Sequence, residues 1–431
     1  MTEVATVRSM SRAPRTSSSL SRHATACFLF LLPQFAIPAG ATYRPPAASL
    51  FLLVWALLAL VRPRALRISS ADPDALLRLL SCFFLYCLVS AVYGYCSLAS
   101  ESRLTLRLTT GNVDYVRVAA ERLLQLLLVI VAFEVVRRSR STPRQLMCWW
   151  LNGMAAAVAL HVLTYLITDD PLLQRAGTFN EGNLAGLYYL TSVFVGLEYR
   201  RTSRAGKGSM FLVLAVLGVL LSRSTAGIVL LSILFATRYT LAARDGWSRT
   251  RRTLLMFIVL PVAGISISSA GLDFGISEKL FEQDVTANSF SRIDRLESIA
   301  AAIRLFVESP VIGNGLQTYG FLSNDLLDGP LLAMYDGSYR RIPNNIYAEI
   351  AAELGIVGLA IFGAFLASLL RRIVRQRRDI DRNLLFGIIA ILLYWNAYPT
   401  YSVVFVWAFF GLAMASLRVE SISRTHSCTS S

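Results

Sequence analysis

Long runs of hydrophobic residues, separated by short polar stretches, recur along the chain. An α-helix needs about 20 predominantly apolar residues to cross the hydrocarbon core of a bilayer. Twelve runs come near this length, and each predicts a membrane span: 24–41, 47–61, 75–97, 115–136, 145–167, 183–199, 209–222, 226–243, 253–270, 346–370, 383–397 and 402–417. The pattern therefore predicts an all-α polytopic membrane protein with about 12 transmembrane helices.

The stretch between the ninth and tenth predicted spans interrupts this pattern. Residues 271–345 are polar and contain ten of the 27 acidic residues of the chain. A loop of this length is uncommon as a simple connection and usually has a function. The predicted regions are a tail at 1–23, spans within 24–270, the large loop at 271–345, spans within 346–417 and a tail at 418–431.

Composition and charge support a membrane protein and fix its predicted orientation. Hydrophobic residues make up 55% of the chain and charged residues only 16%, which exceeds what one soluble core could bury. The formal charge is +15, but with the N-terminus in the cytoplasm 29 of the 42 lysines and arginines lie on the inner side. The positive-inside rule therefore predicts cytoplasmic termini and a periplasmic large loop in a bacterial inner membrane, and a nucleic-acid partner is not expected.

The polar start of the chain also bears on topology. Residues 1–22 contain four arginines and precede the first apolar run, which is also how a cleaved signal peptide begins. The lead is long, and no clear small-residue cleavage site precedes further structure. We therefore expect a retained first span.

Cysteines and histidines predict no metal site or cofactor. The six cysteines show no paired spacing. His23, His161 and His426 form no metal-ligand cluster, and none lies in the large loop.

Within the large loop, residues 291–308 have the periodicity of a helix. Apolar residues at positions 293, 296, 300, 303 and 307 form one stripe, and Arg304 and Glu308 lie on the opposite face. Arg292 and Arg295 flank the stripe, and neither has an acid four residues onward to neutralise it. They either bind an anion or extend to the membrane interface in the way long basic side chains do.

The end of the loop combines turn and helix-start signals. Pro310 to Gly315 predicts a sharp reversal, because its glycines adopt backbone conformations that other residues resist. Asn344 and Asn345 then begin a helix, and an acidic residue at Glu349 suits its positive end. Glu353 lies about two turns inside the span, where an unpaired carboxylate in lipid would cost several kcal/mol. It must contact protein or a wet cavity, so structural pairing and substrate binding both stay open.

Two other segments reach the outer side in this topology. One runs from Arg175 to Asn183 and opens the sixth span, and the other, Ser222 to Gly227, joins the seventh and eighth spans. Helix packing and capping account for the glycines and hydroxyls there. They do not account for Arg175 and Arg223, since positive charge is sparse outside. Guanidinium groups hold phosphate oxygens in pairs and stay charged, so this placement predicts a phosphorylated lipid substrate.

Together these segments resemble the superfamily of O-antigen ligases and O-antigen polymerases, which are integral-membrane glycosyltransferases. The resemblance covers residues 175–358 and rests on the order and spacing of short motifs. These are Gly177-Thr178-Phe179 with Asn183, Ser222-Arg223, Arg295 fifteen residues before the Pro310-x-x-Gly313-x-Gly315 turn, and Asn345, Tyr347, Glu349, Glu353 and Gly355. It implies a GT-C-like all-α fold with one large periplasmic loop.

One position departs from the ligase pattern. Ligases that attach O-antigen to lipid A-core typically have a histidine just before the motif asparagine, and this chain has Asn344 there. An asparagine side chain cannot accept a proton near neutral pH. This favours a polymerase over a ligase and leaves any general base unidentified, with Glu349 the nearest candidate.

The resemblance therefore implies a metal-independent polysaccharide polymerase that joins repeat units carried on undecaprenyl diphosphate. Such an enzyme acts in the lipid bilayer beside a flippase and a chain-length regulator. The alternatives are an O-antigen ligase and, from another class, a flippase or transporter of lipid-linked oligosaccharides. The expected catalytic residues are Arg223, Arg295 and Arg292, and the expected substrate-binding residues are Arg175, Asn183, Asn344, Asn345, Glu349 and Glu353.

Overall fold

A computed structural model describes most of the chain. The described residues are 16–33, 47–61, 75–108, 111–202, 206–241, 287–326, 341–375, 382–398 and 401–428. The predicted span at 253–270 and the loop segments 271–286 and 327–340 lie outside the described residues.

The described chain is built mainly of α-helices. In the first half they are α1 (Thr16–Phe30), α2 (Ala47–Val61), α3 (Ala75–Ser100), α4 (Tyr115–Arg137), α5 (Pro143–Ile167), α6 (Pro171–Ala176), α7 (Gly182–Thr202), α8 (Lys207–Leu221) and α9 (Thr225–Leu241). In the second half they are α10 (Ala287–Glu308), α11 (Tyr319–Leu322), α12 (Ile346–Arg375), α13 (Arg382–Tyr394) and α14 (Val404–Cys428), with a 3-10 turn at Ser323–Leu326.

Three of these helices are long and apolar enough to cross a bilayer. They are α3, α5 and α12, with mean hydropathies of 2.1, 1.6 and 2.2 over their most apolar windows. Shorter apolar helices occupy Lys207–Leu221, Thr225–Arg238, Asn383–Tyr394 and Val404–Leu417. The chain is therefore an all-α membrane protein in class, while the number of spans stays a prediction.

The first helix differs from the predicted span at 24–41. It begins earlier, at Thr16, and ends at Phe30, followed by a turn that reaches Pro33. Proline lacks a backbone N–H and disfavours helical geometry in the residue before it, so a helix ends at or before that point.

A small hairpin between α3 and α4 was not predicted. Strands β1 (Thr105–Leu108) and β2 (Gly111–Asp114) pair antiparallel with Thr105 opposite Asp114. Asp114 then caps α4 through its carboxylate, which accepts hydrogen bonds from the Val116 and Arg117 backbone nitrogens. The hairpin thus fixes where α4 begins.

The helices pack around an aromatic interior. Helix α4 packs along α14, α7 packs on α8 and α13, and α3 packs on α12. Trp150, Trp395 and Trp407 are each at most 1% exposed, and the indole of Trp150 donates to Ser192 Oγ at 2.8 Å. Buried indoles require such partners.

Arginines gather where α7, α9 and α13 meet at one end of the bundle. Arg238 Nε donates to Asn383 Oδ1 at 2.9 Å, and Asn383 Nδ2 donates to Glu198 Oε2 at 3.2 Å. Arg201 pairs with the same carboxylate at 3.2 Å. This basic end corresponds to the side that the arginine distribution predicts to be cytoplasmic.

The predicted loop helix is present as α10 and begins four residues earlier than predicted. Its packed side consists of Ser298, Ala301, Ala302 and Leu305, which are at most 2% exposed. Leu296, Ile303 and Val307 of the apolar stripe are instead 63%, 55% and 70% exposed. Small side chains allow α10 to lie close against α12, and the larger apolar side chains are left outside this contact.

Candidate functional site

The end of the bundle opposite the basic end gathers most of the predicted site residues. Chain segments from distant parts of the sequence meet there. Thr178 Oγ1 donates to the Pro33 carbonyl at 2.9 Å, which ties the segment after α6 to the end of α1. His161 Nε2 lies 2.8 Å from the Gln174 carbonyl, which ties α6 to the end of α5.

Arg223 lies on a strained turn between α8 and α9. Its φ is +47°, in the left-handed region that residues with a Cβ rarely adopt. Ser222 and Ser224 on either side are fully buried. Arg223 Nη2 donates to the Tyr165 hydroxyl at 3.0 Å, and its guanidinium lies 5.6 Å from the centroid of that ring. The turn therefore holds a guanidinium against an aromatic ring at the C-terminal end of α5.

The first turn of α7 supports the Arg223 turn. The Ser224 and Tyr394 hydroxyls are 2.7 Å apart, and the Tyr394 hydroxyl also lies 2.7 Å from the Asn183 carbonyl. A Cβ on Gly186 would lie 2.5 Å from Ser224 Cβ, so only glycine permits this approach. Asn183, predicted to bind substrate, thus lies next to the Arg223 turn.

Asn183 belongs to a second set of contacts around Glu181. Asn183 Nδ2 donates to Glu181 Oε1 at 2.9 Å, and the Tyr398 hydroxyl donates to Glu181 Oε2. Burial and the neighbouring Glu181 carboxylate raise the pKa of the Tyr398 phenol well above its ordinary value. Tyr398 therefore stays protonated and keeps its role as donor.

Arg175 and Arg295 lie near Tyr394, the tyrosine that is hydrogen-bonded to Ser224. The positive charges of both arginines act on the Tyr394 hydroxyl, together with the negative charge of Glu181. Arg175 Nε is buried and has no hydrogen-bond partner among the described residues. The Arg292 backbone lies in α10, but its side chain lies outside the described ones. The structure thus brings Arg175, Arg223 and Arg295 to one region.

The ion pairs at this end divide the arginines into two groups. Arg122 pairs with Glu349, and Arg341 lies 3.9 Å from Asp294. Within the described part of the chain, no carboxylate lies within ion-pair distance of the guanidiniums of Arg175, Arg223 and Arg295. Half-buried guanidiniums without a carboxylate are suited to an external anion.

Glu349 lies in a buried network that the sequence did not reveal. Arg122 Nη2 lies 3.3 Å from Glu349 Oε1, and Gln317 Nε2 lies 3.4 Å from the same oxygen. The Arg122 guanidinium also lies 5.0 Å from the Tyr401 ring centroid and donates to Ser402 Oγ. Arg122 interrupts an apolar run of α4, and such an intramembrane charge was the available signal.

Asn344 and Asn345 shape the start of α12. Asn345 Oδ1 accepts from the Tyr347 and Ala348 nitrogens at 2.9 and 3.0 Å, which makes it a helix cap. Asn344 Nδ2 lies 3.4 Å from Asp294 Oδ2, and so ties the start of α12 to α10. Both amides are engaged within the protein, and any contact with substrate is additional to these bonds.

The glycine turn after α10 fits into a kink of α12. Gly313, Gly315 and Gly355 have φ values of +75°, +113° and +62°. The Asn314 and Gly315 nitrogens donate to the Ala352 and Glu353 carbonyls at 3.0 and 2.9 Å, and the Ile356 nitrogen donates to the Pro310 carbonyl at 2.9 Å. The turn therefore satisfies backbone groups that the kink exposes.

Glu353 is held at that kink. Its side chain is 3% exposed, and its carbonyl lies 3.4 Å from Ser90 Oγ. Arg122 and Glu353 act on each other electrostatically. The expectation that Glu353 contacts protein or a wet cavity is met by burial within the bundle. In the residues that the structure describes, no group of three or more histidine, cysteine or acidic side chains could hold a metal ion.

Comparison with known proteins identifies the family of this region. Residues 210–363 match the family model described as O-antigen ligase. The matched segment includes the Arg223 turn, α10 and the first part of α12, whereas Arg175 and Asn183 precede it. No curated protein matches the chain in a sequence comparison. The family match confirms the predicted resemblance to the O-antigen ligase and polymerase superfamily.

Proposed function

We propose that this chain, with its O-antigen ligase family region, is a polysaccharide polymerase of the bacterial inner membrane. It would transfer a growing glycan from undecaprenyl diphosphate to the non-reducing sugar of a new lipid-linked repeat unit. The reaction would take place at the periplasmic end of the bundle, without a metal. The product would be an O-antigen, a capsule or an exopolysaccharide.

The observation that supports this proposal most is the set of guanidiniums without carboxylate partners. Arg175 and Arg295 act electrostatically on Tyr394, and Arg223 lies next to Ser224, whose hydroxyl is hydrogen-bonded to Tyr394. A diphosphate on a lipid carrier brings its charge to such a place while its hydrocarbon stays in the bilayer. Guanidiniums bind phosphate oxygens through paired hydrogen bonds, so these arginines suit a polyprenyl diphosphate.

The proposed step depends more on stabilising the departing diphosphate than on a strong general base. A hydroxyl oxygen of the acceptor sugar forms a bond to the anomeric carbon of the donor, and the bond from that carbon to the diphosphate oxygen breaks. The hydroxyl proton leaves to water or to the departing diphosphate. Arg223 and Arg295, with Arg292, would stabilise the charge that develops on the diphosphate as it leaves.

The contacts of Glu349 favour a structural role over the role of general base. Its carboxylate is 2% exposed and is engaged by Arg122, so it is poorly placed to receive a proton from a sugar. We assign Glu349 to holding Arg122 in position. Asn344 cannot act as a base either, and its amide lies against Asp294. Both points favour a polymerase over a ligase that depends on a histidine at this position.

Substitution of single arginines tests the proposal. Arg223→Ala and Arg295→Ala should each abolish long polymer while protein levels stay normal, because each removes a group that stabilises the leaving diphosphate. Arg371→Ala is the matched control, since Arg371 is an exposed arginine at the basic end. Wild-type polymer lengths in both of the first two variants would refute the assignment.

A deletion strain separates the remaining functions. Loss of a polymerase leaves single repeat units or none on the cell surface, whereas loss of a ligase leaves long polymer on the lipid carrier. Loss of a flippase leaves repeat units on the cytoplasmic side. Elongation of lipid-linked repeat units by the purified protein would establish the polymerase directly, and sugar analysis of the polymer would identify its product.

A further inference from the structure

A cavity of about 150 Å³ lies beside the Arg122 network, at the same end of the bundle as Arg223. Residues of α2, α4, α7 and α14 line it, together with residues of the turn after α1 and of the segments before α7 and α14. Its polar lining consists of Ser49, Gln125, Asn180 and Ser402, and its apolar lining includes Leu184 and Phe405. Mixed lining of this kind, with a few polar groups among apolar ones, is typical of a small-molecule site.

Two of the polar groups have no partner within the described protein. Gln125 is half-buried in an apolar stretch of α4, and no described residue forms a hydrogen bond with its amide. The same holds for the Ser49 hydroxyl at the start of α2. Polar groups in a membrane helix are costly unless they are paired, and those that persist commonly mark a site of function. These groups are therefore available to hydrogen-bond a ligand in the cavity.

Ser402 connects the cavity to the Glu349 motif. Arg122 donates to Ser402 Oγ through Nη1 and to Glu349 Oε1 through Nη2, so the two contacts fix one guanidinium. The Tyr401 ring lies under it at 5.0 Å. Glu349 thus influences the cavity through Arg122, although Glu349 itself does not line it. Because Glu349 and Ser402 hold the two ends of one guanidinium, the Ser402 hydroxyl is oriented and can donate its own proton to a ligand.

The cavity and the Arg223 turn lie on two sides of the first turn of α7. Leu184 lines the cavity, and the preceding residue, Asn183, accepts a hydrogen bond from Ser224 Oγ at 3.4 Å. Two consecutive residues of α7 therefore face the cavity and the Arg223 turn, which places the two close together. In an inverting displacement, the acceptor hydroxyl attacks the anomeric carbon from the side opposite the departing diphosphate, and sites on two sides of one helical turn would permit this.

We propose that this cavity binds the acceptor, by taking up one sugar ring at the non-reducing end of the lipid-linked repeat unit. Gln125, Ser49, Asn180 and Ser402 hydrogen-bond its hydroxyl groups, and Phe405 and Leu184 contact its apolar face. Arg122 is a positioning residue that orients Ser402. The proposal rests on the proposed polymerase function and extends it by assigning the acceptor subsite.

The size of the cavity sets the size of the ligand. An apolar cavity of about 150 Å³ accommodates one six-membered ring, whereas sites for larger ligands span about 300–1,000 Å³. This volume leaves room for part or all of one sugar ring and for no more than one, so the rest of an oligosaccharide would lie outside the cavity. Because amide and hydroxyl groups can both donate and accept, the lining matches the mixed donors and acceptors of a sugar.

Two cavity variants and one probe test this assignment. Gln125→Leu removes the unpaired amide, and Ala48→Leu fills the cavity from α2, where Ala48 is part of the lining. Both should lower the rate of elongation of lipid-linked repeat units by purified protein at least about tenfold. Gln125→Leu loses a hydrogen bond to the sugar, which costs about that factor, and Ala48→Leu occupies the space of the ring. Their Kd for farnesyl diphosphate, measured by calorimetry, should stay within about twofold of wild type.

Controls distinguish this proposal from the proposed function. Ser416 lies on α14 far from the cavity, and among the described residues its hydroxyl donates to the Leu412 carbonyl alone, so Ser416→Ala should elongate normally. Arg223→Ala should lose both elongation and farnesyl diphosphate binding. Normal elongation in both cavity variants would overturn the acceptor subsite, and so would farnesyl diphosphate binding weakened as strongly as in Arg223→Ala. Normal elongation in Arg223→Ala would instead refute the polymerase mechanism.

Discussion

The backbones of Gly313 and Gly355 pack directly against each other at the kink of α12. A Cβ on Gly355 would lie 2.6 Å from the Gly313 nitrogen, and a Cβ on Gly313 would overlap the Glu353 carbonyl. Both residues have positive φ, at +75° and +62°. The turn after α10 and the kink of α12 therefore form one unit, in which each conformation requires the other.

This unit predicts a large difference between two glycines of α12. Gly355→Ala introduces a strained φ and a clash with the Val311 carbonyl, and should destabilise the protein by about 1–3 kcal/mol or more. Gly363→Ala is the control, because nothing lies within 4 Å of a Cβ there. It should be neutral or stabilise by about 0.5–1 kcal/mol. Thermal unfolding in detergent measures both, and equal midpoints would contradict the interlock.

A second pair of glycines tests the support of the Arg223 turn. Gly186→Ala places a methyl group 2.5 Å from Ser224 Cβ and should displace the turn, so polymer formation should fall at least about tenfold. Gly227→Ala approaches the same Ser224 atoms only to 3.4 Å, an ordinary contact, and should retain activity. Polymer length on gels compares the two. Equal activity in both variants would mean that Arg223 does not depend on this packing.

Because Arg122 and Glu349 form a buried ion pair, substitutions of the two residues should be strongly coupled in their effect on the free energy of unfolding. Glu349→Met alone leaves a guanidinium that is only 12% exposed without its carboxylate, and should cost about 3–5 kcal/mol of unfolding free energy. Arg122→Met should cost a similar amount for the opposite charge. The double variant should recover most of this loss, since two apolar side chains replace two buried charges. Additive losses in the double variant would show that the pair does not act as a unit.

The predicted orientation can be tested from outside the cell. In a chain whose six cysteines are replaced by alanine, Ser100→Cys at the end of α3 should react with a membrane-impermeant maleimide in intact cells. Thr202→Cys at the end of α7 should react only after the cells are opened. Both positions are exposed, so the side of the membrane on which each cysteine lies decides whether the reagent reaches it. Labelling in the opposite order would invert the topology.

Hydrophobic runs located most helices, because burial in lipid requires an apolar segment of fixed length. Helices α3, α5 and α12 lie where the runs predicted them. Within the described part of the first predicted span, the helix ends at Phe30, before Pro33, and positions 34–41 of that span lie outside the described residues. The hairpin at 105–114 escaped notice, because short strands give little periodic signal.

The site was predicted less completely than the helices. Arg175, Arg223 and Arg295 could be grouped because charge is sparse on that side. In the structure, Arg175 and Arg295 act on Tyr394, and Arg223 lies next to Ser224, which is hydrogen-bonded to Tyr394. The partners of Glu349 could not be foreseen, since Arg122 is 227 residues away in sequence and only the fold brings the two together. Contacts over such separations have no local pattern.

The positive φ of Arg223 makes this position unusually informative about selection. The left-handed conformation costs a residue with a Cβ about 1–2 kcal/mol, and glycine would adopt it without strain. The contacts with Tyr165 return about the same amount. Arginine at 223 is therefore close to neutral for folding, so a library screened only for stable protein should accept glycine there. A library screened for polymer should retain arginine. The difference between the two screens would report the contribution of Arg223 to activity, separate from its contribution to stability.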